Sequence, residues 1–161
     1  MEIREATPAD WPRIYRFWSA IVNAGETYAY PEGLTAAEAE PLWMERPPGH
    51  TVVAVDGGEV LGSAKMGPNR PGRGAHIATA SFMVDPAYAG RGVGRALGEY
   101  MIGWAGRHDY HAIQFNAVVE TNVSAVQLWQ SLGFRILGTV PEAFDHPTNG
   151  LVGLHVMYRK I

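Results

Sequence analysis

The chain contains no cysteine, which excludes a disulfide scaffold, a thiolate metal site and a cysteine nucleophile. It has no run of about eighteen apolar residues, the length that would read as a membrane-spanning helix. Its first residues, Met1-Glu2-Ile3-Arg4-Glu5, carry charge where a secretory signal needs an apolar core. A cytoplasmic protein without a membrane partner is the expectation. Charge of neither sign dominates: the formal net charge is −3, no Lys/Arg-rich run occurs, and attraction to nucleic acid is not expected. There is no His-Glu-x-x-His; His108 and His111 fall in a polar turn after a helix, so no metal is expected. Internal repeats, low-complexity tracts and linkers are also missing. With 161 residues at 47% hydrophobic composition, one core and one domain spanning 1–161 are expected.

What is present centres on Val84 to Arg95, reading Val-Asp-Pro-Ala-Tyr-Ala-Gly-Arg-Gly-Val-Gly-Arg. Upstream, Ile77 to Val84 reads as a buried strand. Downstream, Val93, Leu97, Tyr100, Met101 and Trp104 form one apolar helical stripe. A glycine-rich loop therefore joins a strand end to a helix start. Gly90, Gly92 and Gly94 let the backbone aim its N–H groups at a bound group, and the unpaired N–H groups of a helix start favour an anion. Arg91 and Arg95 add positive charge beside them. This pattern reads as a pyrophosphate cradle. It is no P-loop, because Arg95-Ala96 follows the last glycine where Lys-Ser or Lys-Thr is needed. It is no dinucleotide fingerprint either, because the third small position falls on Leu97 or Arg95.

What remains is the spacing Arg/Gln-x-x-Gly-x-Gly/Ala, matched by Ala89-Gly90-Arg91-Gly92-Val93-Gly94 except at its first position. About thirty residues later comes Asn122-Val-Ser-Ala125-Val-Gln-Leu128-Trp129-Gln-Ser-Leu132-Gly133-Phe134. In these two motifs the chain resembles the GCN5-related N-acetyltransferase (GNAT) superfamily over roughly residues 50 to 160. The resemblance implies an α/β GNAT fold: a mixed, mostly antiparallel sheet of about six to seven strands flanked by about four helices. It implies an acyltransferase that uses acetyl-CoA as co-substrate, and a homodimer.

The element pattern agrees with that fold class. A first strand is read at Met1 to Ala6. A helix starts after Thr7-Pro8, with Thr7 as cap and Trp11, Ile14, Tyr15, Trp18, Ile21 and Val22 on its apolar face. A second helix lies within Thr35 to Met44. Thr51 to Val55 and Val60 to Met66 alternate around Asp56-Gly57-Gly58, a hairpin signal. Later elements are a strand at Ala112 to Val119, a helix at Ser124 to Leu132, and strands near Arg135 to Val140 and Leu151 to Arg159. Phe144 to Gly150 reads as a turn-rich loop.

Site residues follow from the resemblance. Phe82, Met83 and Val84 would bind the pantetheine arm through their main chain, and one N–H there would stabilise the oxyanion. Ala89, Gly90, Arg91, Gly92, Val93, Gly94 and Arg95 would hold the pyrophosphate; Arg91 either contacts a CoA phosphate or is solvated. Two departures stand out. Ala89 replaces the usual Arg or Gln. Trp129 replaces the usual Tyr, whose hydroxyl protonates the departing thiolate, and an indole N–H is far too weak an acid for that role. Trp129 packs around the pantetheine end or in the core.

The attacking amine must be neutral, so a base or water relay is needed; Glu120 and His76 are the catalytic candidates, with Glu26 a weaker third. Phe115 to Asn122 resembles acetyltransferases of proline analogues, which implies that Asn116 holds the acceptor and Asn122 the cofactor; the other reading of Asn122 is a cap for the helix that follows it. Asn116, in what reads as a buried strand, would need polar partners. Thr79 and Tyr28 join the acceptor side. The expected reaction is acetyl transfer to the primary or secondary amine of a small amino-acid-like substrate, by direct attack in a ternary complex. The alternatives are a phosphinothricin-type amino-acid acetyltransferase, suggested by Glu26-Thr27-Tyr28-Ala29-Tyr30, an N-terminal acetyltransferase of proteins, and a non-catalytic acyl-CoA-binding module.

Overall fold

A computed structural model describes residues 1–161. In chain order its elements are β1 (Glu2–Glu5), α1 (Trp11–Ala24), α2 (Ala36–Trp43), β2 (His50–Asp56), β3 (Glu59–Pro68), β4 (Ile77–Val84), α3 (Val93–Arg107), β5 (Ala112–Val119), α4 (Val123–Ser131), β6 (Arg135–His146) and β7 (Gly150–Lys160). The seven strands form one sheet in the order β1-β2-β3-β4-β5-β7-β6. Every neighbouring pair is antiparallel except β4 and β5.

That exception builds the site. β4 and β5 pair only at Ile77–Ala112 and Ala78–Ile113, then separate although both strands continue. β5 also shifts register against β7 between Phe115 and Val118. The sheet therefore opens into a splay from Thr79 onward, beside the glycine loop.

Adjacent strand residues point to opposite faces, and the core divides accordingly. Val53, Val60 and Met83 pack with Trp11, Ile14, Phe17 and Trp18 of α1 and with Trp43 of α2. Ala54, Leu61 and Ala64 pack with Leu97, Met101 and Trp104 of α3 and with Trp129 of α4. The splay thus has an α1/α2 face and an α3/α4 face.

Local chemistry explains the element ends. Thr7 precedes a short 3-10 turn, Pro8–Asp10, and the α-helix begins one turn later than the sequence reading put it. Asp10 fixes that turn: its carboxylate accepts from the Thr7 N–H at 2.8 Å and from both Arg4 guanidinium nitrogens at 2.8 Å. Arg4 holds the buried Asp10 carboxyl down to about 2. α1 ends at Gly25, whose φ of +69° is left-handed. Thr35 and Glu38 cap α2 reciprocally.

The late hairpin differs from expectation. β6 continues through Phe144, Asp145 and His146, which the sequence reading placed in a loop. Pairing with β7 breaks after Val140, where Pro141 lacks an N–H for the ladder, and resumes at Phe144. The turn between the strands shrinks to residues 147–149.

Candidate active site

The splay holds a cavity of about 600 Å³ that runs from the glycine loop, along β4, to the segment Thr27–Ala29 after α1. Most of the residues expected at the site line it. Phe82, Met83, Val84, Ala89, Gly90, Gly92, Val93, Gly94, Asn122 and Trp129 do so from the cofactor side, and Tyr28, Thr79 and Asn116 from the acceptor side. Arg91, Arg95, Glu120 and His76 do not.

The cradle is built from main chain. Gly90 and Gly92 have φ of +76° and +78°, and a Cβ at either would meet nothing within 4 Å. Both positions thus need glycine for conformation, and both face open space. Gly92 caps α3, and its carbonyl accepts the first helical bond from the Ala96 N–H at 3.0 Å. The N–H groups of Val93, Gly94 and Arg95 precede that bond and have no helical partner. Gly94 packs close, its Cβ position lying 3.3 Å from Leu128 of α4. This arrangement fits a pyrophosphate.

β4 supplies the second set of main-chain groups. Its odd-numbered residues bond to β3: Met83 pairs with Ser63, Ser81 with Lys65 and Thr79 with Gly67, while the Asp85 N–H donates to the Leu61 carbonyl at 2.9 Å. In an antiparallel pair the alternate residues turn their main chain to the other side. Ala80, Phe82 and Val84 therefore present N–H and C=O groups to the splay. Those of Phe82 both meet Tyr28, whose hydroxyl donates to the Phe82 carbonyl at 2.6 Å and accepts from the Phe82 N–H at 2.9 Å. Burial pushes the Tyr28 hydroxyl well above the ordinary tyrosine range, so it stays protonated.

Trp129 is 6% exposed and packs tilted against Phe82 and edge-on against Phe115 at ring-centre distances of 4.6 and 5.0 Å. Across α3, a Cβ at Gly98 would fall 2.9 Å from its ring, so the indole sits where only glycine leaves room. It is at once core and cavity wall.

Asn116 is exposed, not enclosed in a buried strand, because β5 has left β4 at that level. Its amide still has partners: it donates to Asn69 at 2.6 Å and accepts from Gln114 at 3.0 Å. Asn122 starts α4 with its main-chain carbonyl, which accepts from Val126 at 3.1 Å; its side chain makes no cap bond. Glu120 lies exposed at the end of β5, and its carboxylate accepts from the Gly153 N–H of β7 at 2.6 Å. His76 lies at the closed end of the splay, its carbonyl accepting from the His111 N–H at 2.8 Å. Arg91 sits 3.6 Å from Asp56 and over the Tyr88 ring. Arg95 donates to Ser131 at 2.7 Å.

A second chamber, of about 400 Å³, adjoins the first and shares Thr79, Ala80, Ser81 and Asn116 with it. Its remaining wall brings together Glu45, Arg46 and Lys65, none of which the motifs point to. Lys65 alternates with Ser63 and Gly67 on β3 and so lies on the α1/α2 face. Its ammonium donates to the Leu42 carbonyl at 2.8 Å and lies 3.4 Å from the Glu45 carboxylate. The one available signal was a charge interrupting an otherwise apolar strand, Leu61-Gly-Ser-Ala-Lys65-Met66.

A sheet parted between two parallel strands, with a glycine-capped helix at the mouth of the gap, forms a cleft lined by main-chain groups that suits an extended ligand with an anionic end. The chain belongs to the Acetyltransferase (GNAT) family, matching it over residues 11–134. It is 64% identical to a GCN5-related N-acetyltransferase from Kribbella flavida, with a TM-score of 0.97 over 99% of this chain and 97% of that one. It is 34% identical over 84 residues to N-acetyltransferase aca1 of Schizosaccharomyces pombe, a match that covers 52% of this chain and 40% of aca1. The chain thus spans well under half the length of the curated relatives it matches. A phosphinothricin acetyltransferase from Sinorhizobium meliloti in complex with acetyl-CoA shares the fold, with a TM-score of 0.89 at 21% identity over 99% of this chain and 88% of that one.

Proposed function

We propose that the protein is an acetyl-CoA-dependent N-acetyltransferase whose acceptor is a small amine carrying a carboxylate, an amino or imino acid. The observation that carries this reading is the pair of joined chambers. One offers main-chain N–H groups along β4 and at the start of α3; the other offers Lys65, Arg46 and Glu45. The two meet at Thr79 to Ser81 and Asn116. The cradle at Gly90 to Gly94 takes the pyrophosphate, the β4 edge turned away from β3 takes the pantetheine arm once Tyr28 yields the Phe82 groups it holds, and Asn122 and Trp129 close the cofactor side. A GNAT-fold protein holding acetyl-CoA supports this assignment.

An acceptor entering through the second chamber has two cations for its carboxylate and one anion near its amine. The chain has no cysteine, so the acetyl group passes directly to the amine. At neutral pH an alkyl amine of ordinary pKa costs about 4 kcal/mol to deprotonate. No carboxylate or imidazole lines the larger cavity. The proton therefore leaves through water in the second chamber, beside Glu45.

The test is free-thiol release from acetyl-CoA with matched amines: proline against pyrrolidine, alanine against ethylamine, phosphinothricin, and short peptides. Turnover with the carboxylate-bearing partner of each pair, and little with the other, supports the reading. Turnover with peptides alone replaces it with a protein N-terminal acetyltransferase. Tight acetyl-CoA binding without turnover of any amine replaces it with a non-catalytic binding module.

The homodimer is proposed on β6, a sheet edge whose Ile136, Leu137 and Val140 are 37%, 51% and 51% exposed, beside Leu151 at 59%. An apolar edge strand left open to water invites pairing with another chain. Sedimentation of the wild type against an Ile136→Lys/Val140→Lys variant tests it: a monomer only in the variant supports the β6 interface, and a monomer in both removes it.

A further inference from the structure

Trp129 leaves the cofactor side without a hydroxyl at the place where the family resemblance expects one. Twenty-eight residues line the main cavity, and among them only Tyr28 and Tyr88 carry a titratable side chain. Tyr88 belongs to the glycine loop, where the Arg91 guanidinium lies 5.5 Å from its ring centre; that is the phosphate end. Tyr28 comes from the opposite direction, out of the segment after α1. Its ring lies between Tyr30 (5.8 Å, stacked) and Trp43 (6.3 Å, edge-on). Its hydroxyl spans the N–H and C=O of Phe82 at 2.9 and 2.6 Å. A side chain from another element thus occupies the main-chain groups at the middle of the splay edge.

We propose that Tyr28 is a catalytic residue whose hydroxyl hydrogen-bonds the sulfur of the thioester and stabilises it as it departs as thiolate. The proposal rests on reading the cavity as an acetyl-thioester site. A thioester carbonyl that accepts from the Phe82 N–H takes the place where the Tyr28 oxygen now accepts. The thioester sulfur is bonded to the carbon of that same carbonyl. The Tyr28 hydroxyl, displaced by roughly one hydrogen-bond length, is then next to the sulfur with its O–H free to turn from the Phe82 carbonyl.

In the reaction the amine nitrogen bonds the carbonyl carbon and the Phe82 N–H meets the resulting oxyanion. The C–S bond then breaks with its electron pair on sulfur. The nitrogen loses a proton to water, and the released thiolate takes one from water. Tyr28 remains protonated throughout and supplies a hydrogen bond. Full proton transfer to a thiolate of ordinary pKa near 8.5 would run uphill from a phenol of pKa about 10 or higher.

The test reads binding before activity. Calorimetric affinities of CoA and of desulfo-CoA, which lacks the thiol, are compared between about pH 6.5 and 9.5 for wild type and Tyr28→Phe. In the wild type CoA gains about tenfold over desulfo-CoA as pH rises through the thiol range, because the donor favours bound thiolate. In Tyr28→Phe that gain vanishes while desulfo-CoA binds as before. An identical pH dependence in both proteins overturns the proposal. So does an equal weakening of both ligands in the variant, which marks Tyr28 as a structural staple between loop and strand.

With an acceptor that turns over, kcat of Tyr28→Phe falls about a hundredfold and KM for acetyl-CoA stays within about threefold; an unchanged kcat overturns the proposal. If no amine is acetylated, the calorimetry still decides on Tyr28, so its failure is distinct from that of the proposed activity.

Discussion

The glycine-loop side of the cavity is lined by exposed main-chain groups, and the side toward the second chamber by polar and charged side chains. On the first, Gly90 and Gly92 hold left-handed conformations so that N–H groups converge at the start of α3, and β4 turns alternate peptide groups into the splay. On the second, Tyr28, Glu45, Lys65 and Asn116 arrive from four segments scattered along the chain. Main-chain binding tolerates exchange of most side chains but not of the glycines that shape it. Side-chain binding can be retuned one residue at a time. The two sides should therefore respond to substitution in different ways.

The largest effect is expected at Gly92. A valine there would be forced into φ near +78°, a region costly for a β-branched residue. Its Cβ would meet nothing within 4 Å, so the chain still folds. Gly92→Val should raise the acetyl-CoA Kd about a hundredfold, roughly 3 kcal/mol, with Tm lowered by several degrees through the backbone strain. Calorimetry and a thermal melt on the same sample check both halves. Unchanged affinity would mean that the cradle does not depend on main-chain conformation, and the contrast between the two sides would collapse.

Next comes Asp10, which sits under the acceptor side by fixing the entry to α1. Its carboxyl is held at about 2 against an ordinary 3.8, chiefly by its hydrogen bonds from Arg4. A depressed carboxyl stabilises the fold above its ordinary pKa, and that contribution is lost as pH falls from about 4 through about 2. The shift corresponds to about 2 kcal/mol at neutral pH. Asp10→Asn should lose about that much stability at pH 7, and its urea midpoint should vary less than the wild type's between pH 5 and 2. A parallel pH dependence in the two proteins would show that other carboxyls govern the acid limb.

How far the sequence was legible follows the same division. The glycine loop was readable because its chemistry demands glycines at fixed spacing between a strand and a helix. The sheet was readable because Asp56-Gly57-Gly58, the alternation of β2 and β3 and the stripe of α3 are local. The chamber around Lys65 was not: Glu45, Lys65 and Asn116 are each ordinary in their own segment, and only the order of the strands brings them together. Asn116 reads as an amide in a buried strand, whereas it stands at the open splay with amide partners. Phe144 reads as loop because turn-forming residues follow it, whereas it belongs to the resumed β6, from which it lines the cavity.

A smaller effect, specific to the acceptor, is expected at Lys65. Replacing it with methionine keeps an unbranched side chain and removes the ammonium, which lies 5.9 Å from the Tyr30 ring centre and 6.0 Å from that of Trp43. Lys65→Met, alone or with Arg46→Ala, should raise KM for a carboxylate-bearing amine about tenfold, near 1.4 kcal/mol. KM for acetyl-CoA should not move. If the loss is as large for ethylamine as for alanine, the two cations do not read a carboxylate.

The smallest effect is expected at Arg91, the one cradle side chain whose charge stays close to the loop. Arg95 is engaged by Ser131 and lies 3.5 Å from Glu99, whereas Arg91 has a loose ion pair with Asp56 at 3.6 Å, about half exposed on both sides. Such a pair contributes about 1 kcal/mol or less, so little is lost when Arg91 turns from Asp56 toward a phosphate. Arg91→Ala should raise the acetyl-CoA Kd about threefold at low ionic strength. The difference should shrink toward nothing near 0.5 M salt, where screening acts within roughly 4 Å. A loss above tenfold that salt leaves untouched would make the cradle a side-chain site like its neighbour across the splay. No difference at any salt would remove Arg91 from the site and leave the anion to the backbone of Gly90 to Gly94 alone.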